Sequence, residues 1–131
     1  MTISTPRGFR DALFGEAEER AALASAIKKT FSLRGYRPVE TPVLEEFRAL
    51  ERGIGGSLER DVFVFTDSDG GLLALRPEMT VPIARMAASR LDVGASPLRI
   101  CYQAEVFREH ESLRAQPRQF TQLGVELLGS A

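Results

Sequence analysis

Leu98-Arg99-Ile100-Cys101-Tyr102-Gln103-Ala104-Glu105-Val106-Phe107-Arg108 and Gln119-Phe120-Thr121-Gln122-Leu123-Gly124-Val125-Glu126-Leu127-Leu128 read as two long strands. In the second, Gln122, Gly124 and Glu126 share one face, opposite Leu123, Val125 and Leu127, because side chains alternate along a strand. The segment between them, Glu109 to Arg118, is charged, polar and long for a hairpin loop. Connections of that length usually carry function or are disordered. The strand pair sets the class: α+β, an antiparallel sheet with flanking helices on one side.

Just upstream, Val62-Phe63-Val64-Phe65-Thr66 and Leu72-Leu73-Ala74-Leu75 flank the turn-forming Asp67-Ser68-Asp69-Gly70-Gly71, the pattern of a hairpin. Arg76-Pro77-Glu78-Met79 breaks the second strand. Thr80 then reads as the cap of a helix running to about Leu91, with Val81 and Pro82 in a first turn that tolerates proline. Asp92 to Pro97 reads as loop. Further back, a short helix is expected from about Glu45 to Arg52, ending in a Gly53-Ile54-Gly55-Gly56 turn. Tyr36 to Val39 and Thr41 to Leu44 read as extended, and Pro38 and Pro42 place them at an edge or an interface.

The first helix spans about Glu16 to Arg34. Ala17, Ala21, Ala24, Ile27 and Phe31 form one apolar stripe at helical spacing. Glu16, Glu18 and Glu19 near its start, and Lys28, Lys29 and Arg34 near its end, match the helix dipole. Gly35 supplies the left-handed residue that ends it.

Composition narrows the function classes. The 131 residues are 44% hydrophobic and 27% charged, with 17 Lys+Arg against 18 Asp+Glu. That size suits one domain. The near-neutral balance lacks the basic footprint of an unspecific nucleic-acid binder. No apolar run approaches the roughly 20 residues of a membrane span, and the early acids do not suit a signal peptide. One cysteine, Cys101, and one histidine, His110, make neither a disulfide framework nor a zinc cluster. A reducing, cytoplasmic setting is the expectation.

Three clusters can carry chemistry. Arg76-Pro77-Glu78-Met79-Thr80 places a carboxylate and a hydroxyl at a helix start, able to hold an ammonium group; equally, Thr80 is a plain cap and Glu78 a dipole-matched acid. Arg108, at a strand end, can grip a carboxylate or phosphate with two prongs, or serve as an ordinary strand-end charge. On the Gln122, Gly124, Glu126 face, the glycine leaves room for a flat ligand, although a solvent face alternates in the same way.

The motifs resemble the histidyl-tRNA synthetase family, and the resemblance covers essentially the whole chain in family order. Thr5-Pro6-Arg7-Gly8-Phe9-Arg10-Asp11 is similar to that family's opening segment. Gly35-Tyr36-Arg37-Pro38-Val39-Glu40-Thr41-Pro42-Val43-Leu44-Glu45 resembles the first class II synthetase motif, whose proline lies at a dimer interface. Leu75-Arg76-Pro77-Glu78-Met79-Thr80 resembles the amino-acid-binding turn. Val106-Phe107-Arg108 through Glu126 resembles the second motif.

The resemblance implies the leading portion, residues 1–131, of a class II aminoacyl-tRNA synthetase-like catalytic domain, silent in catalysis by itself. By carry-over, Glu78 and Thr80 hold the α-ammonium of histidine, Gln122 and Glu126 complete that side, and Arg108 meets the carboxylate. Two kinds of protein share this pattern: the synthetase and the regulatory subunit of ATP phosphoribosyltransferase. The synthetase follows its second-motif arginine with an acid two residues on, then Arg-Pro and a further arginine. Here the matching positions are His110, Glu111-Ser112 and Gln116, and Met79 replaces a glycine. A glutamate beside a triphosphate repels it, and adenylyl transfer depends on such electrostatics. The expectation is therefore a non-catalytic regulatory subunit of histidine biosynthesis, with a possible histidine ligand, no catalytic residue, no metal and no cofactor. Its expected partners are a short-form ATP phosphoribosyltransferase catalytic subunit and a second copy of the chain through the Pro42 region. ATP, Mg²⁺ and tRNA enter only under the synthetase alternative, and a third alternative is a fragment that folds and dimerises without a small ligand.

Overall fold

A computed structural model of the chain describes residues 3–54, 61–92, 96–109 and 116–129. The expected turn at Gly55-Gly56, the middle of the 92–97 loop, His110, Glu111, Ser112 and the last two residues lie outside the described residues.

The two long strands form as their alternation requires: β5 spans Leu98–Phe107 and β6 spans Gln119–Leu128 (numbered in chain order), antiparallel, with Tyr102 opposite Gly124 and Ile100 opposite Glu126. The first helix, α1 (Phe14–Leu33), is followed by β1 (Arg37–Pro38), which runs parallel to β5 at the edge of the sheet. That edge is where a proline costs no ladder bond. The sheet order is β1-β5-β6, so this sheet is mixed rather than purely antiparallel. A second, antiparallel sheet has the order β2-β4-β3, with β2 at Leu44–Glu46, β3 at Val64–Thr66 and β4 at Leu72–Leu75.

Two boundaries differ from the expectation. Glu45 and Glu46 are strand residues, and α2 spans Phe47–Ile54, so Gly53 and Ile54 are helical rather than turn. The reason lies across the interface with α3 (Thr80–Arg90): a Cβ at Gly53 would stand 2.5 Å from Val81 Cγ2. Gly53 buys close approach of two helices at the cost of local helix propensity. Gly35 takes φ +78° behind α1, and the Tyr36 and Gly35 amides donate to the Phe31 and Ser32 carbonyls. This is the expected left-handed stop.

Helix α3 packs on the face of β5–β6 that carries Tyr102, Gln122 and Glu126. Met79, Ile83, Ile100, Tyr102, Ala104 and Val106 form the core, flanked by Val39, Met86, Phe120 and Leu128. Ile83 and Val106 are fully buried, worth about 2 kcal/mol each in apolar transfer. The opposite face lies against α1, so helices flank both faces and not one side as expected; the α1 stripe is only partly buried, with Ala24 buried, Ile27 and Phe31 half-buried, and Ala17 and Ala21 exposed. Small side chains leave a cleft there, between α1 and Gln103, Thr121 and Leu123. Among the described residues, no helix is long and apolar enough to cross a membrane.

Arg76 joins the two sheets. It is 6% exposed, and its guanidinium donates to the carbonyls of Glu105 (2.8 Å), Thr41 (2.7 Å) and Pro42 (3.2 Å). Burial lowers its pKa, while Glu45 and Glu105 oppose that shift. Alongside, the buried Glu45 carboxylate on β2 receives two hydrogen bonds from Arg85 on α3, at 2.6 and 2.8 Å. These bonds fix the corner from which Glu78 and Thr80 project.

Candidate functional site

The site lies at the N-terminus of α3, over the polar stripe of β6. Glu78 caps the helix: its carboxylate accepts the amide N–H of Thr80 at 2.6 Å and of Val81 at 2.9 Å. The expected assignment of Thr80 as the cap is thereby corrected. Thr80 is the first helical residue, and Met79, in the flanking position, makes no side-chain cap bond. A carboxylate satisfies two otherwise unpaired N–H groups and meets the positive end of the helix dipole, which one hydroxyl cannot do.

Freed from capping, the Thr80 hydroxyl donates to Glu126 Oε1 at 2.9 Å, 46 positions along the chain. Its lone pairs stay available to accept from a donor. Thr80 thus links the two acids, Glu78 through its amide and Glu126 through its hydroxyl, and among the described residues neither carboxylate takes part in an ion pair. On the same face, Gln122 has its Oε1 buried without a hydrogen-bond partner among the described residues. An unpaired buried acceptor costs about 1–3 kcal/mol. Such an acceptor suits a ligand N–H.

Arg108 lies just past the end of β5. Its Nε donates to the Pro77 carbonyl at 3.0 Å, and its guanidinium sits 5.3 Å from the centre of the Phe120 ring. Pro77 immediately precedes Glu78, so Arg108 is tied to the acidic corner through the backbone and not through its carboxylates. The seat uses Nε, and among the described residues no hydrogen bond engages the two Nη amino groups, which suit a planar anion.

Gly124 needs a different account from the expected one. A Cβ there would stand 2.4 Å from the Tyr102 hydroxyl and 2.6 Å from its Cζ. The space over the glycine is filled by a phenol, not left open for a flat ligand. Tyr102, missed in the sequence, becomes the floor of the site. Its pKa is raised, chiefly by burial and then by the negative charges of Glu126 and Glu78. An aromatic residue opposite a glycine on a neighbouring strand is the signal that finds it, once the register is known.

Chemically, the arrangement offers two carboxylates, a hydroxyl and an amide oxygen on one side and a guanidinium on the other. That is the complement of a small zwitterion carrying a further N–H. Other acids are committed elsewhere: Asp67 and Asp69 accept the Ser68 and Gly71 amides within the β3–β4 turn. Cys101 is buried alone, its thiol pKa raised by that burial. Among the described residues, no group of three or more His, Cys, Asp or Glu side chains is placed to hold a metal.

The family model for histidyl-tRNA synthetase matches residues 8–131. The chain belongs to the histidyl-tRNA synthetase family. It is 40% identical over 127 residues to an ATP phosphoribosyltransferase regulatory subunit of Halothermothrix orenii, covering 97% of this chain and 30% of that protein. It is also 40% identical over 130 residues to a histidine–tRNA ligase of Archaeoglobus fulgidus, covering 99% and 32%. A crystal structure described as an ATP phosphoribosyltransferase regulatory subunit/histidyl-tRNA synthetase from Bacillus halodurans superposes with a TM-score of 0.86 at 37% identity, covering 98% of this chain and 33% of that one. The chain therefore spans about a third of the length of these relatives. The fold is that of a class II synthetase-like domain of this family, α+β as expected.

Proposed function

We propose that the chain is the leading part of a regulatory subunit of ATP phosphoribosyltransferase that keeps an amino-acid pocket for histidine and does not form an adenylate. The observation that carries the pocket is the bridging of Glu78 and Glu126 by Thr80 at the start of α3. The ammonium of histidine enters among these groups, the Gln122 oxygen takes an N–H, and the carboxylate meets Arg108. Binding there is how histidine would feed back on its own biosynthesis.

Loss of the nucleotide side supports the regulatory assignment. Glu111 and Gln116 stand where the synthetase resemblance calls for arginine, which removes positive charge beside a triphosphate and adds a negative one. Met79, in place of a glycine, is 1% exposed and packs with Ile83 and Val106, so the substitution is absorbed by the core. The proposed partner is a short-form ATP phosphoribosyltransferase catalytic subunit. A second copy of the chain is proposed to pack along the exposed Pro42 segment. Neither ATP nor Mg²⁺ is needed by this reading.

The experiment is direct. Co-purification of the intact gene product with a short-form phosphoribosyltransferase, raising its activity, supports the proposal. Histidine-dependent exchange of pyrophosphate into ATP by that product overturns it in favour of the second reading, histidine–tRNA ligase. Retention of Arg108, and a ligase at 40% identity, are what favour that second reading.

A further inference from the structure

Three stretches of chain, at residues 7–9, 61–63 and 108–109, converge on Arg118, away from the acidic corner. Its backbone N–H donates to the Gly8 carbonyl at 2.8 Å, and its own carbonyl accepts the Arg108 N–H at 3.0 Å. Its guanidinium donates to the Arg7 carbonyl at 3.0 Å and pairs with the Glu109 carboxylate. The cation lies 4.6 Å from the Phe63 ring centre and 5.6 Å from that of Phe9. Its side chain is 15% exposed, and Nε is buried without a partner among the described residues. Glu109 is fixed in turn, its N–H donating to the Asp61 carbonyl at 2.8 Å.

Gly8 permits this convergence. It has φ +80°, and a Cβ there would stand 2.5 Å from Arg118 Cγ and Cδ. Any larger residue meets both the left-handed backbone and the arginine stem. A guanidinium held by two rings, a carboxylate and a carbonyl is worth far more than an exposed pair, because its partners are preformed and water is largely excluded.

We propose that Arg118 is a positioning residue: it pins the Thr5–Arg10 segment as a strap across the junction of β5 and β6 and so sets the seat of Arg108. The strap is then a required part of a pocket to which its own side chains contribute no ligand group. The effect on the ligand rests on the histidine reading above; the strap itself does not.

The test uses the intact gene product with two variants. Arg118→Met keeps the stem and removes the donors, while Gly8→Ala keeps the charge and pushes the strap away. Hydrogen exchange is followed at the Phe9 amide, which is bonded to the Pro6 carbonyl, and at the centre of β5–β6. Both variants are expected to raise exchange at residues 5–10 by about tenfold or more, the loss of one charge-assisted hydrogen bond, with the strand centres unchanged. Histidine affinity should fall with it, and Arg118→Lys should recover part of both. Unchanged exchange at residues 5–10 overturns the proposal, as does an equal rise throughout β5–β6, which marks Arg118 as a general stability residue. If the wild type binds no histidine, the histidine reading fails, and the exchange data still decide the strap.

Discussion

Thr80 Oγ1 and Glu126 Oε1 meet at 2.9 Å, joining the first turn of α3 to the far end of the β6 stripe. The bond sets one hydroxyl and one carboxylate side by side. Both groups are open enough to reach a ligand: Thr80 is exposed and Glu126 half-buried. Thr80→Val keeps the shape and removes the donor. In the intact gene product it should lower histidine affinity about tenfold while shifting stability by less than about 1 kcal/mol. Isothermal titration beside urea unfolding measures both. Unchanged affinity would remove Thr80 from the pocket.

Glu78 caps the helix and is proposed to hold an ammonium group, and the two roles can be separated. As the cap it satisfies the Thr80 and Val81 amides, so Glu78→Ala should cost about 1–2 kcal/mol of stability with no ligand present. Glu78→Gln keeps one acceptor oxygen and should cost less, while still losing the negative charge that an ammonium group requires. Urea midpoints that fail to move for either variant would mean that the helix start is held by other contacts.

Gly124→Ala forces a methyl against the buried Tyr102 ring. Overpacking of this kind costs about 1–3 kcal/mol. In a Tyr102→Ala background the same change should cost much less, because the obstructing atoms are gone. The double-mutant cycle on thermal or urea unfolding reads the coupling. An equal cost in both backgrounds would place the strain in the glycine backbone instead of at the ring.

Arg76 predicts a large loss. Its guanidinium holds the carbonyls of Thr41, Pro42 and Glu105, and no carboxylate pairs with it among the described residues. Arg76→Met leaves these part-buried acceptors without their donor and should destabilise by about 2 kcal/mol or more. Arg76→Lys should recover little, since one ammonium cannot span three acceptors in a planar fork. A loss below about 1 kcal/mol in urea unfolding would show that water replaces the fork.

What was legible in the chain follows from the range of the forces involved. The β5–β6 pair and its two faces were readable because alternation is a local pattern. The stop at Gly35 was readable because a left-handed residue is a local requirement. Gly53 misled because its reason, Val81 of α3, lies across a helix contact that no window of neighbouring residues contains. The same holds for Arg76, which reaches partners 29 and 35 positions away, and for Arg118, whose rings come from Phe9 and Phe63. At the site, residue types marked Glu78, Thr80 and Glu126 as candidates, but only the fold could assign capping to Glu78 and fill the space over Gly124 with Tyr102.

Tyr102 gives the pH dependence. A tyrosine in an unfolded chain titrates near about 10. In the native protein burial raises that value, and the negative charges of Glu126 and Glu78 raise it further, since each disfavours a phenolate beside it. Between the unfolded and native values, the native state keeps a proton that the unfolded chain has released. Stability contributed by this group is therefore complete below about pH 10 and falls as pH rises through the native value. The difference in ultraviolet phenolate absorbance between the protein and its Tyr102→Phe variant reports Tyr102 alone. Its midpoint should lie above that of an exposed tyrosine, and Glu126→Gln should lower it without restoring the ordinary value, because burial remains. Titration at or below the ordinary value would contradict the burial of the ring, and a midpoint indifferent to Glu126→Gln would detach the phenol from the acidic corner.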